Sequence, residues 1–147
     1  MKIYPATVEQ IPSPLQITSL LNLGKSIRKS LDIIHSNGYC HLDIKPSNIF
    51  ATDDIDPSKR YVLGDFGSVA AMGQPAIGVS EAYFPKGEDK QASRSLDYLL
   101  LAITLLEKSA LWSVSDGNLT REEVVAKINK IEDVELKFFL ENLVTVT

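Results

Sequence analysis

Cysteine is nearly absent: Cys40 is the only one in 147 residues, so no internal disulfide staples the fold. A lone thiol suits a reducing compartment, and a cytoplasmic location is the expectation. An excess of basic charge is missing as well. The net charge of −4 argues against nucleic acid or an anionic membrane as the main partner. Long apolar runs are also lacking. The longest, YLLLAITLL at residues 98–106, falls far short of the roughly 20 residues that span a bilayer. The opening MKIYPATVEQIPSP has no apolar core of a signal peptide, so no secretory leader is expected. Internal repeats and low-complexity segments are absent. What remains is a chain of one-domain length with 44% hydrophobic residues, sufficient to bury a proper core.

Periodicity then places the elements. Residues 1–14 hold three of the seven prolines and read as an extended lead-in. Over residues 18–37, Leu20, Leu23, Ile27, Leu31 and Ile34 recur every three or four positions, the stripe of an amphipathic helix, and Gly38 stands where a left-handed cap would end it. Ile49-Phe50 and the apolar run 61–63 flank the polar TDDIDPSKR, which reads as a hairpin turn. Residues 72–95, rich in glycine, proline and small polar side chains, read as a long ordered loop. Residues 96–107 are apolar nearly all round, which predicts a helix encased by others. Thr120-Arg121-Glu122-Glu123 is a capping-box pattern opening a helix to about Ile131. A last helix is predicted over 134–144, with Leu136, Phe139, Leu140 and Leu143 on one face. The fold class expected is mainly α (α+β), helical with short β hairpins around two polar loops.

The first of those loops is YCHLDIKPSNIF, residues 39–50. A helix would scatter Asp43, Lys45 and Asn48 around its surface, and a strand would put Asn48 on the face opposite the other two. Pro46 removes a backbone donor and pushes Lys45 out of helical geometry. The segment is therefore a loop that aims polar groups at a common point. The second, LGDFGSVA, sets Asp65 between two glycines.

Together these residues resemble one family, the eukaryotic-type protein kinases. His41-Leu42-Asp43-Ile44-Lys45-Pro46-Ser47-Asn48 is similar to the H-R-D-L-K-P-x-N catalytic loop, and Asp65-Phe66-Gly67 to the D-F-G motif. Residues 78–85 resemble the end of an activation segment, and Asp97 stands where the family has an aspartate that braces the catalytic loop's backbone. The resemblance implies ATP and Mg²⁺ as cofactors and a protein as phosphoryl acceptor. It implies Asp43 as the base for a substrate hydroxyl and Lys45 as a point charge steadying the phosphoryl group. Asn48 and Asp65 are implied as Mg²⁺ ligands, Gly67 as a turn after the metal ligand, and Phe50 as the residue beneath the adenine. His41 and Phe66 would pack together as structural support. Lys45 followed by Pro46 resembles the serine/threonine-specific branch. The bland reading of Cys40 is a small buried hydrophobe.

Nothing in the chain resembles the Gly-rich loop, the V-A-I-K lysine or its glutamate partner. Those belong to a small lobe that would precede Met1, and KIYPA resembles the hinge strand. Residues 1–147 are thus expected to form a kinase-like C-lobe from hinge to late helix, with the small lobe absent or supplied by a separate chain. Leu42 replaces the usual arginine, so activity is not expected to depend on activation-loop phosphorylation. Lys86 stands near the position of the A-P-E glutamate, and the arginine that pairs with it is expected beyond residue 147. Two other readings compete. One is a catalytically weak or inactive pseudokinase-like lobe acting as a docking module. The other is a small-molecule kinase, which Lys45-Pro46 disfavours.

Overall fold

The computed structural model describes residues 6–146. The hinge expectation on KIYPA falls, apart from Ala6, outside the described residues. Helix α1 (Ile17–Ser36) buries Leu20, Leu23, Ile27 and Leu31 along the predicted stripe. It ends at Asn37, with Gly38 at φ 85°, the left-handed geometry that glycine adopts without steric cost. Helix α2 (Arg94–Lys108) starts two residues before the apolar pattern, because the Ser93 hydroxyl accepts from the Leu96 amide and caps it. Every residue of α2 from Leu96 to Leu106 is buried, so the all-round apolar run is a central helix. Thr120 and Glu123 close the predicted capping box on α3 (Arg121–Asn129), and α4 (Val134–Val144) packs Leu136, Leu140 and Leu143 inward. α1, α3 and α4 all contact α2 or one another around one hydrophobic core.

Two small sheets carry the polar loops. Strands β3 (Ile49–Ala51) and β4 (Tyr61–Leu63) pair antiparallel across the predicted turn, with Phe50 opposite Val62. A strand the proline-rich lead-in did not suggest, β1 (Ala6–Thr7), joins the other edge of β3. Strand β2 (Tyr39–Cys40) pairs with β5 (Ala70–Ala71), bringing the start of one loop beside the end of the other. Residues 72–92 form the expected ordered loop. It is held by antiparallel backbone bonds from Gly73 N to Ala92 O (2.9 Å), Ala92 N to Gln74 O (2.8 Å) and Ala76 N to Lys90 O (3.0 Å). No helix among the described residues is long and apolar enough to cross a membrane.

Candidate active site

The catalytic-loop candidates begin where β2 ends. Asp97, fully buried on the first turn of α2, accepts hydrogen bonds from the His41 amide (2.9 Å), the Leu42 amide (2.8 Å) and His35 Nε2 (2.8 Å). Leu42 sits at φ 73°, a region that disfavours a branched L-residue, and its side chain is fully buried. The Asp97 carboxylate thus holds a strained backbone in place. His35, Cys40 and Asp97 present potential metal-ligating atoms within 4.8 Å of one another. Both Asp97 oxygens already accept N–H donors, and burial, then the Asp97 charge, push the Cys40 thiol up to about 12. The cluster is a structural brace, and Cys40 is the buried small residue expected.

His41 joins the two loops. Its Nδ1 accepts from the Asp43 amide (3.2 Å), so its Nε2 carries the proton donated to the Gly64 carbonyl (2.8 Å). The Gly64 amide donates back to Asn48 O (2.8 Å). A Cβ at Gly64 would stand 2.4 Å from Phe50 Cε2, so glycine is what allows the Phe50 ring to lie across this junction. His41 and Phe66 pack edge to face with centroids 5.4 Å apart, as expected, although Phe66 remains 55% exposed.

At the centre lies Asp43. Its Oδ2 accepts from Asn48 Nδ2 (3.0 Å), its Oδ1 accepts from the Ser80 hydroxyl (2.6 Å), and Lys45 Nζ stands 4.0 Å from Oδ2. The same Ser80 oxygen accepts from Lys45 Nζ (2.6 Å). Asp43, Lys45 and Asn48 therefore converge on one point. Asn48 also donates to the Asp43 carbonyl (2.8 Å), which leaves its Oδ1 with no donor among the described residues. Asp65 is exposed, and among the described residues its carboxylate accepts only the Gly67 amide, at 3.3 Å. It joins the cluster through Gly64, not by a side-chain bond to Asp43 or Asn48. The left-handed residue here is Asp65 itself (φ 51°), whereas Gly67 lies outside that region. Two carboxylates and one ammonium leave this surface net negative. Together with the uncommitted hard oxygens of Asn48 and Asp65, that fits a divalent cation such as Mg²⁺.

Sequence reasoning missed Ser80, which lies 37 positions from Asp43; only the likeness of residues 78–85 to an activation-segment end pointed to that stretch. The segment is fixed by several contacts. The Ser68 hydroxyl donates to Gly78 O (2.7 Å), and a Cβ at Gly78 would fall 2.5 Å from that hydroxyl. The Tyr83 hydroxyl, its pKa raised by burial and by Glu107, donates to the Glu107 carboxylate (2.9 and 3.1 Å). The Lys86 amide donates to Leu119 O (2.8 Å), and two residues on, Glu88 pairs with Arg121 of α3 (2.7 Å), which also donates to Ser95 Oγ (2.9 Å). An ion pair thus fastens the end of the segment from within the chain.

No family model matches the chain. It is 33% identical over 99 residues to the serine/threonine-protein kinase ArnS of Sulfolobus acidocaldarius, covering 55% of this chain and 16% of that protein. It is 44% identical over 54 residues to the Wee1-like protein kinase of Oryza sativa subsp. japonica, covering 37% of this chain and 9% of that protein. Among solved structures it is similar to the Cydia pomonella granulovirus kinase PK-1. The TM-score is 0.71 at 14% identity, over 97% of this chain and 60% of that one. Vaccinia related kinase 3 gives a TM-score of 0.64 at 16% identity, over 95% and 52%. The chain spans less than a fifth of these two curated relatives and just over half of these two solved structures.

Proposed function

We propose, on the premise that the chain has the fold of a protein-kinase C-terminal lobe and resembles the serine/threonine protein kinases, that it moves the γ-phosphate of ATP to a hydroxyl of a protein substrate. The observation that carries this reading is the bracketing of the Asp43 carboxylate by Asn48 Nδ2, Ser80 Oγ and, at 4.0 Å, Lys45 Nζ. Asp43 is recessed, with 12% of its side chain exposed, and its bonds fix the oxygen that receives the hydroxyl proton. Lys45 offers a mobile point charge to the transferring group. That Ser80 already sits between this acid and this ammonium supports the pair as a seat for a hydroxyl. When bound by Asn48 and Asp65, Mg²⁺ supplies neutralisation of phosphate charge. Phe50, whose ring lies against Gly64, would support the adenine from below. The small lobe that covers the nucleotide comes from outside these residues, from a separate chain or a preceding segment. With its unpaired Cys40, the protein works in the cytoplasm.

The test is transfer of labelled phosphate from ATP to casein, by the 147-residue chain alone and with a kinase small lobe added in trans. Turnover is weak alone, rises with the added lobe, and falls at least about a hundredfold in Asp43→Asn. Transfer unaffected by Asp43→Asn overturns the reading. Absence of transfer under both conditions favours the second one, a docking lobe without turnover. The 55% exposure of Phe66 beside the catalytic loop speaks for that alternative.

A further inference from the structure

Away from Asp43, α1 and the start of α2 enclose a surface pocket of about 360 Å³ lined by Arg28, Asp32, His35, Ser36, Arg94 and Tyr98. Its charge is unbalanced. The Tyr98 hydroxyl donates to Asp32 Oδ1, so the single carboxylate is engaged by a neutral donor. Neither guanidinium has an ion pair or a hydrogen bond among the described residues. Arg28 lies over the Tyr98 ring, 5.3 Å from its centroid, and Arg94 stands at the first position of α2, where the helix dipole is positive. Burial and the Asp32 bond push the Tyr98 hydroxyl up to about 12, while Arg28 and Arg94 both pull it down; the two cations therefore act on one spot. On the same wall His35 is 93% buried, and its Nδ1 has no hydrogen-bond partner, a deficit that buried polar atoms rarely carry.

We infer that this pocket is an anion site that takes a phosphate group, carried by a phosphorylated side chain or free in solution. Two guanidiniums without an ion pair or hydrogen bond among the described residues, lining one pocket beside a helix N-terminus, match the charge of a phosphate monoester. The ligand stands directly behind the catalytic loop. His35 on the pocket wall bonds Asp97 Oδ2, and that oxygen accepts the His41 amide. Occupation of the pocket is thereby coupled to the backbone that presents Asp43.

The chain is titrated with inorganic phosphate and with a phosphoserine peptide at an ionic strength held constant with sodium chloride. Calorimetry gives affinity, and the His41 and Leu42 amide resonances report the loop. Saturable binding that shifts both resonances is expected. Arg28→Gln and Arg94→Gln each weaken it at least about tenfold. A peptide that binds tenfold or more tightly than phosphate assigns the source to a phosphorylated side chain; equal affinities assign it to the free ion. No saturable binding of either probe, or affinity unchanged in the double variant, overturns the inference. Arg94→Gln alone keeps the test valid should the double variant fail to fold, since Arg94 is exposed and bonds to no described residue. The readout is binding, so its failure leaves the phosphotransfer reading standing.

Discussion

Replacing Asp97 by asparagine isolates the contact that holds the His41–Leu42 backbone. In the wild type one carboxylate accepts three hydrogen bonds at 2.8–2.9 Å, all buried. Asparagine has one acceptor oxygen. If it faces His35 and His41, its amide N–H₂ meets the Leu42 N–H, and a donor confronts a donor. The loss is one charge-assisted bond, about 1.5–3 kcal/mol, with weakening of the other two as the charge disappears. Release of Leu42 from φ 73° returns part of this, because left-handed geometry costs about 1–2 kcal/mol. The net expectation is a loss of about 3 kcal/mol, a large share of the roughly 5–15 kcal/mol that holds such a domain. For a chain of this size that lowers Tm by about 6–12 °C. The probe is the single tryptophan, Trp112, 3% exposed and bonded through its indole N–H to Gly117 O at 2.8 Å. Urea unfolding followed by its fluorescence gives the free energy, and the His41 and Leu42 amide resonances report the loop. Lys25→Gln is the contrast. It removes a surface pair to Glu135 at 3.2 Å with side chains 57% and 66% exposed, and shifts stability by less than about 1 kcal/mol. An Asp97→Asn loss of that same small size, with the loop amides unmoved, contradicts the role of Asp97 as the brace of this backbone.

Two further perturbations probe the core. In Gly24→Ala the new methyl falls 2.6 Å from Phe139 Cε1 and 3.2 Å from Leu105 Cδ1, so the Phe139 ring of α4 must give way. The variant loses about 1–3 kcal/mol despite the gain of about 1 kcal/mol in helix propensity, and a neutral result in urea unfolding contradicts this packing. Cys40 has its folded pKa raised from 9.0 to about 12, so its stabilising contribution is complete below pH 9 and is lost as pH rises towards 12. Cys40→Ala therefore flattens the alkaline fall in stability over that window. At pH 8 a thiol reagent labels native protein only as it opens, because the thiol is fully buried and its pKa is pushed up; rapid labelling of folded protein contradicts the burial.

What the sequence disclosed follows from the range of the forces. The stripe of α1, the encased α2 and the capping box of α3 are local patterns, and each appears within two residues of its expected bounds. The convergence of Asp43, Lys45 and Asn48 was readable because Pro46 bars a continuous α-helix, leaving a single 3-10 turn at Pro46–Asn48, and the spacing forbids strand. The Asp97 brace and the His41–Phe66 packing came only through the family resemblance. Ser80, the β2–β5 pairing, β1 on the sheet edge and the Glu88–Arg121 ion pair link positions 30 to 45 residues apart, and no local periodicity encodes such pairings. Asp65 shows the limit from the other side. Its motif was plain, but its left-handed backbone is a property of the folded junction with Gly64, where sequence had assigned the turn to Gly67.

In the proposed function, Asn48 and Asp65 present a half-site for a metal-bound nucleotide. Calorimetric titration of the chain with ATP, with and without Mg²⁺, in wild type and Asp65→Ala, tests it most directly. Weak, saturable, Mg²⁺-dependent binding is expected, and it disappears in Asp65→Ala while the Trp112 unfolding curve is unchanged. Binding that ignores Mg²⁺ or survives the substitution, or no binding by either protein, contradicts it.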